Sequence, residues 1–457
     1  MKKYLIPLVV GLLMYTSCPQ DSGNSADQVR VLRAAIPADF MGMVHAGSRS
    51  EVNQEYTLLD NLGVRWMLTD FSWSSIQPQK ITWNLDAFKS YADKGKAQGK
   101  KILAILDYDV GWIHDGTYAD DPFTDGTGHK YVSPGEIPLF CEYVKKTVAH
   151  YKDRVDAWCI WNEPNLQPRF WPHEGTKEDF FALTKAAAAA IREIDPNAFI
   201  IGGAFNTLAS DDWIRGIFTS GAMAQIDAIA YHPYMPSPGP TATMFKNFKK
   251  IVSDYGFGDR IWITEVGYPT YTSVSIPAGR YGTDVPVDRM PETVLQTLTL
   301  LTVEGAARIF WYHLFDPPAA TQESGDSEDW FGLVQDDFTL KPGAAAYRLF
   351  AHNIPGSVCK TPLRVGLPDS VKTYHFEGSD GKHALVVWNE VTVQEQTIRV
   401  YLPGSNQKVY NLETGAPVSI GESSNYTLKA KDGTHHYIRF FTWENPASFQ
   451  APRVSAL

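Results

Sequence analysis

"VDAWCIWNEPN", residues 155–165, is a short apolar run that ends in an Asn, a Glu, a Pro and a second Asn. Such a run reads as a buried strand whose C-terminal end holds one carboxylate, that of Glu163. A carboxylate set at the end of a buried strand raises the question of its partner. The rest of the chain supplies a candidate.

Seven further runs have the same character: FMGMVHA at 40–46, VRWMLTD at 64–70, KILAILD at 101–107, AFIIGGA at 198–204, IDAIAYH at 226–232, RIWITEVG at 260–267 and ARIFWYHLF at 307–315. Amphipathic or Ala-rich segments lie between them, such as FCEYVKKTVAHYK after Ile137 and DFFALTKAAAAAIREI before Asp195, and these read as helices. Strands that are apolar throughout, rather than alternating, are expected to be parallel and covered by helices on both faces. Eight such units predict an α/β fold, a (β/α)8 TIM barrel, although a doubly wound sheet fits the same pattern. After Asp316 the texture changes. A long polar loop, PPAATQESGDSEDW, leads to a closing helix at 342–354. From Val358 onward period-two strands separated by Gly, Asn and Asp turns predict a small all-β antiparallel sandwich. The expected division is 38–355 for the barrel and 356–457 for the sandwich.

The N-terminus differs from both. Lys2 and Lys3 precede an apolar stretch from Tyr4 to Met14, too short to span a bilayer and of the form of a signal peptide, expected over residues 1–17. Thr16, Ser17 and Cys18 resemble a bacterial lipobox, with Tyr15 departing from the usual Leu. That resemblance implies a lipidated Cys18, a tether over 18–37, and an exported protein held at the periplasmic or outer surface through its anchor. Removal of residues 1–17 takes away two lysines and moves the formal net charge from −10 to −12, a balance without basic runs that argues against nucleic-acid binding. Cys141, Cys159 and Cys359 are too scattered for a disulfide framework or a CxxC metal site and read as buried small hydrophobes.

In a barrel the chemistry sits at the C-terminal ends of the strands. The fourth ends in Asn162 and Glu163, the sixth in Tyr231, His232 and Tyr234, the seventh in Thr264, Glu265 and Gly267, and the eighth in Trp311, Tyr312 and His313. Strand two carries Arg65. Glu163 and Glu265 are thus projected into one cleft by barrel closure. Glycosidic bond cleavage needs two such groups, one to protonate the leaving oxygen and one to attack the anomeric carbon or activate water. A string such as NEP is weak alone; the pair at strands four and seven is not.

The motifs IWNEPN, AYHPY, WITEVGYP and FWYHLFD…GL…KPGAAAYR resemble the clan A glycoside hydrolases, retaining enzymes on this barrel, and within the clan family 39 and its relatives. The resemblance covers about residues 38–355. It implies Glu163 as acid and base, Glu265 as nucleophile, and Asn162 on the sugar 2-hydroxyl. It also implies that Arg65 and Tyr234 hold the nucleophile, that His232 lines the pocket, and that Trp311 forms the platform under the sugar. Among loop aromatics Trp112 and Trp171 are the first candidates for further platforms, with Trp73 and Trp330 behind them. Asp107 and Asp109 are candidates for sugar hydroxyls. The partner expected is a carbohydrate substrate, with no cofactor and no metal, because the histidines lack HExxH or similar spacing. MGMVHAG after the first strand is not the glycine fingerprint of a nucleotide-binding oxidoreductase. The remaining rival is a catalytically silent carbohydrate-binding lipoprotein, against which the retention of both glutamates argues.

Overall fold

The computed structural model describes residues 29–47, 52–114, 130–167, 169–172, 175–270, 285–318, 327–390, 394–430, 437–444 and 451–457. The expected signal peptide, Cys18 and the tether up to residue 28 lie outside the described residues, as do most of the loops 110–134 and 269–290.

The first strand, β1 (Val31–Arg33), precedes the barrel. The eight expected runs then form β2 (Met41–Val44), β3 (Trp66–Asp70), β4 (Lys101–Leu106), β5 (Ala157–Ile160), β6 (Ile200–Asn206), β7 (Ala228–His232), β8 (Ile261–Val266) and β9 (Arg308–Trp311). All eight pair in parallel, and β2 closes on β9 with Gly42 opposite Phe310 and Met43 opposite Trp311. Closure excludes the doubly wound sheet, which has two free edges. Inside the barrel Val44, Leu68, Leu103, Ile105, Cys159, Ile201, Trp262 and Phe310 pack as one cluster, while the outward faces pack under the helices.

The helices follow from their residues. Lys177–Ile194 opens on a reciprocal cap in which Thr176 Oγ1 accepts from the Asp179 amide at 3.1 Å and Asp179 Oδ2 accepts from the Thr176 amide at 3.0 Å. The helix Pro342–Asn353 begins at a proline, whose missing N–H costs nothing in the first turn, and ends the barrel segment.

The second domain contains β10 (Ser357–Lys360), β11 (Leu363–Val365), β12 (Val371–Gly378), β13 (Lys382–Asn389) and β14 (Gln396–Tyr401). It continues with β15 (Ser405–Tyr410), β16 (Pro417–Ser419), β17 (Ser423–Leu428), β18 (Arg439–Glu444) and β19 (Arg453–Ala456). They form a seven-stranded sheet ordered β1-β10-β12-β13-β18-β15-β16 and a four-stranded sheet ordered β11-β19-β14-β17. One face of the larger sheet, with Phe376, Val386, Trp388 and Phe440, joins the same apolar cluster as the barrel's outer layer. Its other face meets the smaller sheet through Leu385, Val387, Phe441, Ile398 and Val454. Residues 31–33, expected as tether, are therefore a strand of the sandwich: Val31 lies opposite Lys360 and Arg33 opposite Cys359. The Arg33 guanidinium also donates to the Thr302 carbonyl at 2.7 Å, fixing this strand to the barrel.

Candidate active site

The regular part of β5 stops at Ile160, and the backbone then turns into the left-handed region at Trp161 (φ 65°) and Glu163 (φ 44°). Ala204 beside it on β6 (φ 42°) and His45 after β2 (φ 53°) do the same. For non-glycine residues each such position costs about 1–3 kcal/mol, and the concentration of four at one end of the barrel marks where the fold stores strain. The Glu163 amide donates to the Ala204 carbonyl at 3.0 Å, so the two strained turns support each other.

Glu163 is buried, and its Oε1 accepts from Asn206 Nδ2 at 2.9 Å and from His232 Nδ1 at 2.8 Å. That oxygen is occupied, which leaves Oε2 to carry and deliver a proton. Asn165, the last residue of the opening motif, fixes this arrangement by accepting the Asn206 amide on Oδ1 at 2.9 Å. Asn162 donates to the Tyr108 hydroxyl at 3.1 Å, while its Oδ1 is buried without a hydrogen-bond partner among the described residues. An acceptor in that state is poised for a donor from a ligand.

Glu265 sits where the β8–β9 register shifts between Ile263 and Val266, an irregularity that turns its side chain out of the alternation. The Tyr234 hydroxyl donates to its Oε2 at 2.8 Å, and His232 Nδ1 lies 3.6 Å from the same oxygen. His232 Nε2 meets Thr264 Oγ1 at 2.8 Å, so the ring is held from both sides. Burial works to lower the His232 pKa, but Glu265 and Glu163 outweigh it and the net direction is up. The Glu265 carboxyl is pushed up to about 7 by burial, opposed by His232 and reinforced by the charge of Glu163. One oxygen of each glutamate and one nitrogen of His232 all lie within 4.8 Å of one another. Gly267 follows at a point of close approach: a Cβ there would stand 2.0 Å from the Tyr312 carbonyl oxygen, so no larger residue fits.

The glutamates share a pocket of about 210 Å³ with Asn162, Tyr234, His45, Asp70, Tyr108, Tyr312, Arg169 and Glu328. Several of these escaped the sequence reading, and the strand-end rule had the means to find two: His45 directly follows the first barrel strand and Asp70 ends the second. Asn206, which holds Glu163, ends the fifth, two residues past the expected 204. Glu328, in the long polar loop, had no such signal; it accepts from Arg169 Nη1 at 3.2 Å and from the Tyr312 hydroxyl at 3.2 Å.

Three expectations are corrected. Arg65 is exposed at the N-terminal end of β3, its amide bonded to the Met41 carbonyl at 3.0 Å, at the far end of the barrel from Glu265. The parallel strand that carries it delivers Asp70, not Arg65, to the site. Trp311 is fully buried in the layer beneath the helices, 6.1 Å from the Tyr268 ring, and its neighbour Tyr312 lines the pocket instead. Trp171 is likewise fully buried, its ring against Tyr131, Trp161 and Phe180 and its Nε1 donating to the Thr176 carbonyl at 3.2 Å. Trp171→Ala is therefore expected to lower stability by about 3–5 kcal/mol, read as a fall in the denaturation midpoint, rather than to act as a lost sugar platform. Trp112 is half-buried beyond the pocket, donating to the Gln77 carbonyl at 3.0 Å and meeting Trp73 edge to face. Trp73 is fully buried as well. Asp109 is held by His114 Nε2 at 2.6 Å and by the Tyr131 amide at 3.1 Å.

Among the described residues two clusters have metal-like spacing, the Glu163–His232–Glu265 trio and His375–Glu377–His383 in the sandwich. In the first, both ring nitrogens of His232 are already hydrogen-bonded. In the second, His375 Nε2 and His383 Nδ1 hydrogen-bond each other at 3.0 Å and Glu377 pairs with Lys360 at 2.9 Å.

A closed (β/α)8 barrel with one glutamate after its fourth strand and another in its seventh resembles the clan A glycoside hydrolases. Within that clan the resemblance is to family 39: residues 137–256 match the family profile "Glycosyl hydrolases family 39". A β-xylosidase of Caldicellulosiruptor saccharolyticus is 37% identical over 101 residues, 21% of this chain and 20% of the relative. One of Geobacillus stearothermophilus is 29% identical over 110 residues, 22% of this chain and 21% of the relative. The matched segments thus span about a fifth of these curated relatives. The whole fold is similar to that of a family 39 glycoside hydrolase from Bacteroides cellulosilyticus WH2, with TM-score 0.68, 18% identity, and coverage of 89% of this chain and 81% of that one. It is similar also to a monomeric β-xylosidase from Caulobacter crescentus CB15, with TM-score 0.63, 16% identity, and coverage of 91% and 98%.

Proposed function

We propose that the chain is a retaining glycoside hydrolase that cleaves β-glycosidic bonds of an oligo- or polysaccharide by double displacement. Glu163 is the acid and base and Glu265 the nucleophile. The observation that carries this reading is the closeness of the two carboxylates, one oxygen of each within 4.8 Å. Retaining enzymes place them about 5 to 5.5 Å apart, whereas an inverting enzyme needs about 6.5–9.5 Å to admit a water between sugar and base.

In the first step Glu163 protonates the leaving oxygen from Oε2 while Glu265 attacks the anomeric carbon and forms a glycosyl ester. Tyr234 and His232 hold Glu265 Oε2, which supports an ionised nucleophile with its other oxygen free to attack. Esterification removes the Glu265 charge. Glu163, having lost its proton to the leaving group, then takes one from water, which attacks the anomeric carbon, breaks its bond to Glu265 and releases the sugar with Glu265 restored as carboxylate. The unpartnered Oδ1 of Asn162 is suited to the 2-hydroxyl, an interaction that strengthens in the transition state. The test is a screen of aryl β-glycosides and of plant and microbial polysaccharides with a Glu265 variant as blank. A chain that cleaves none of them is not a glycosidase of this kind.

The pH dependence follows from the two roles: attack needs the Glu265 carboxylate and departure of the leaving group needs a proton from Glu163, so kcat/KM is expected to fall on both sides of an optimum. Burial and the charge of Glu163 push the Glu265 carboxyl up to about 7, which draws the acidic limb toward neutrality. The basic limb is expected to disappear in Glu163→Gln. A pH–rate profile of both proteins on a glycoside whose leaving group needs protonation decides it; a basic limb that persists in Glu163→Gln contradicts the assignment.

A further inference from the structure

Two acids at the C-terminal ends of β3 and β4 take no part in the chemistry above. Asp70 pairs in register with Ile105, two residues before Asp107, so the two carboxyls stand on neighbouring strands at one rim of the barrel. Asp70 opens onto the pocket that Glu163 and Glu265 share. Asp107 is fully buried, and neither of its carboxyl oxygens has a hydrogen-bond partner among the described residues. Asp107 does not itself line the pocket, so Asp70 is the member of the pair that a ligand reaches, with the uncompensated acceptors of Asp107 behind it.

The barrel order says which part of a sugar would meet them. From Glu265 on β8 the pocket wall runs through Tyr312, His45, Asp70 and Tyr108, which follow β9, β2, β3 and β4, before reaching Glu163 after β5. Asn206 and His232, from β6 and β7, hold the glutamates from the other side. A ring with its anomeric carbon between the glutamates therefore turns its far hydroxyls toward β3. At about 210 Å³ the pocket admits about one ring.

We propose that Asp70, backed by Asp107, is a specificity-determining residue that accepts hydrogen bonds from the sugar hydroxyls remote from the scissile bond. The proposal rests on the glycosidase reading for the direction of the sugar. Burial pushes both carboxyls up, and Asp107 the further because the charge of Asp70 adds to its own desolvation. Lys130 opposes the rise at both carboxyls, and His45 opposes it at Asp70. Lys130 lies over the rings of Tyr108 at 4.8 Å and Phe170 at 4.3 Å.

The test is calorimetric titration of Glu265→Gln protein with aryl β-xyloside, β-glucoside, β-galactoside and β-mannoside. The tightest of these is then compared with its 3-deoxy and 4-deoxy forms, alone and with Asp70→Ala or Asp70→Asn added. The same series is run by turnover in the wild-type background. Loss of the hydroxyl that Asp70 reads is expected to cost on the order of 10²-fold in affinity or kcat/KM, the worth of one hydrogen bond to a carboxyl group in a dry site. With Asp70→Ala that penalty should shrink to within about threefold, with Asp70→Asn intermediate. Equal penalties with and without Asp70 overturn the proposal and leave the glycosidase reading intact, as does affinity that follows added Ca²⁺ instead of the hydroxyls. An Asp70-dependent penalty in binding with no turnover by the wild type sustains the proposal and overturns the glycosidase reading. Absence of any sugar binding and any turnover overturns both.

Discussion

Glu265→Gly loses turnover of every glycoside by on the order of 10⁴-fold or more, and external azide restores cleavage of an aryl glycoside with an activated leaving group, giving a glycosyl azide of inverted configuration. The loss is large because the carboxylate supplies the covalent step itself. Glycine is chosen because it leaves a hole the size of the missing group. Azide fits there and attacks from the face that Glu265 would have used, so a single displacement inverts the anomeric centre. The position also tolerates the change: Glu265 lies at an irregular point of β8 and its side chain is directed to the pocket, not into the packed layers. Full activity in this variant, or an azide product of retained configuration, removes Glu265 from the role of nucleophile.

Glu163→Ala behaves differently, and the difference is diagnostic. Substrates with good leaving groups need little protonation, so their first half-reaction is expected to slow only modestly, while natural-type leaving groups lose about 10²–10⁴-fold. Hydrolysis of the glycosyl ester loses its base in either case, so an early burst of aryl alcohol followed by a slow steady state is expected. Azide now substitutes for water in the second step and yields a product of retained configuration, opposite to that from Glu265→Gly. Equal losses across leaving groups exclude the acid role. Because Glu163 receives hydrogen bonds from both Asn206 and His232, its removal also frees those two donors, and Glu163→Gln, which keeps an acceptor for them, separates the two effects.

The fold was legible because eight apolar runs of strand length, with helical segments between them, leave few ways of burying both faces of each strand. Closure itself was not; nothing local distinguishes a strand that pairs onward from one at an edge, and only the β2–β9 pairing decides it. The two glutamates were legible because barrel polarity turns the question of which residues meet into the question of which residues end strands. Arg65 shows the rule applied at the wrong end of VRWMLTD, while Asp70 at the right end passed unread. Tryptophans defeated the reading for another reason. A ring stacked in a core and a ring offered to a sugar have the same composition and local sequence, and Trp171 and Trp311 prove to be the first kind. Glu328 depends on how a long polar loop folds back over Tyr312, which is a matter of tertiary contact alone.

Strand β1 has a consequence for how the molecule is made. Val31 pairs with Lys360, a separation of 329 residues, so during synthesis the earlier segment must wait for the later one. At roughly 5–20 residues per second that delay is on the order of 15–65 s, long enough for the barrel to fold in between. The edge of β10 remains bare until the early strand arrives, and a bare edge is where a neighbouring chain adds its own strand. Docking of residues 31–33 is thus a late step that covers β10 and leaves a strand of three residues at that margin of the sheet.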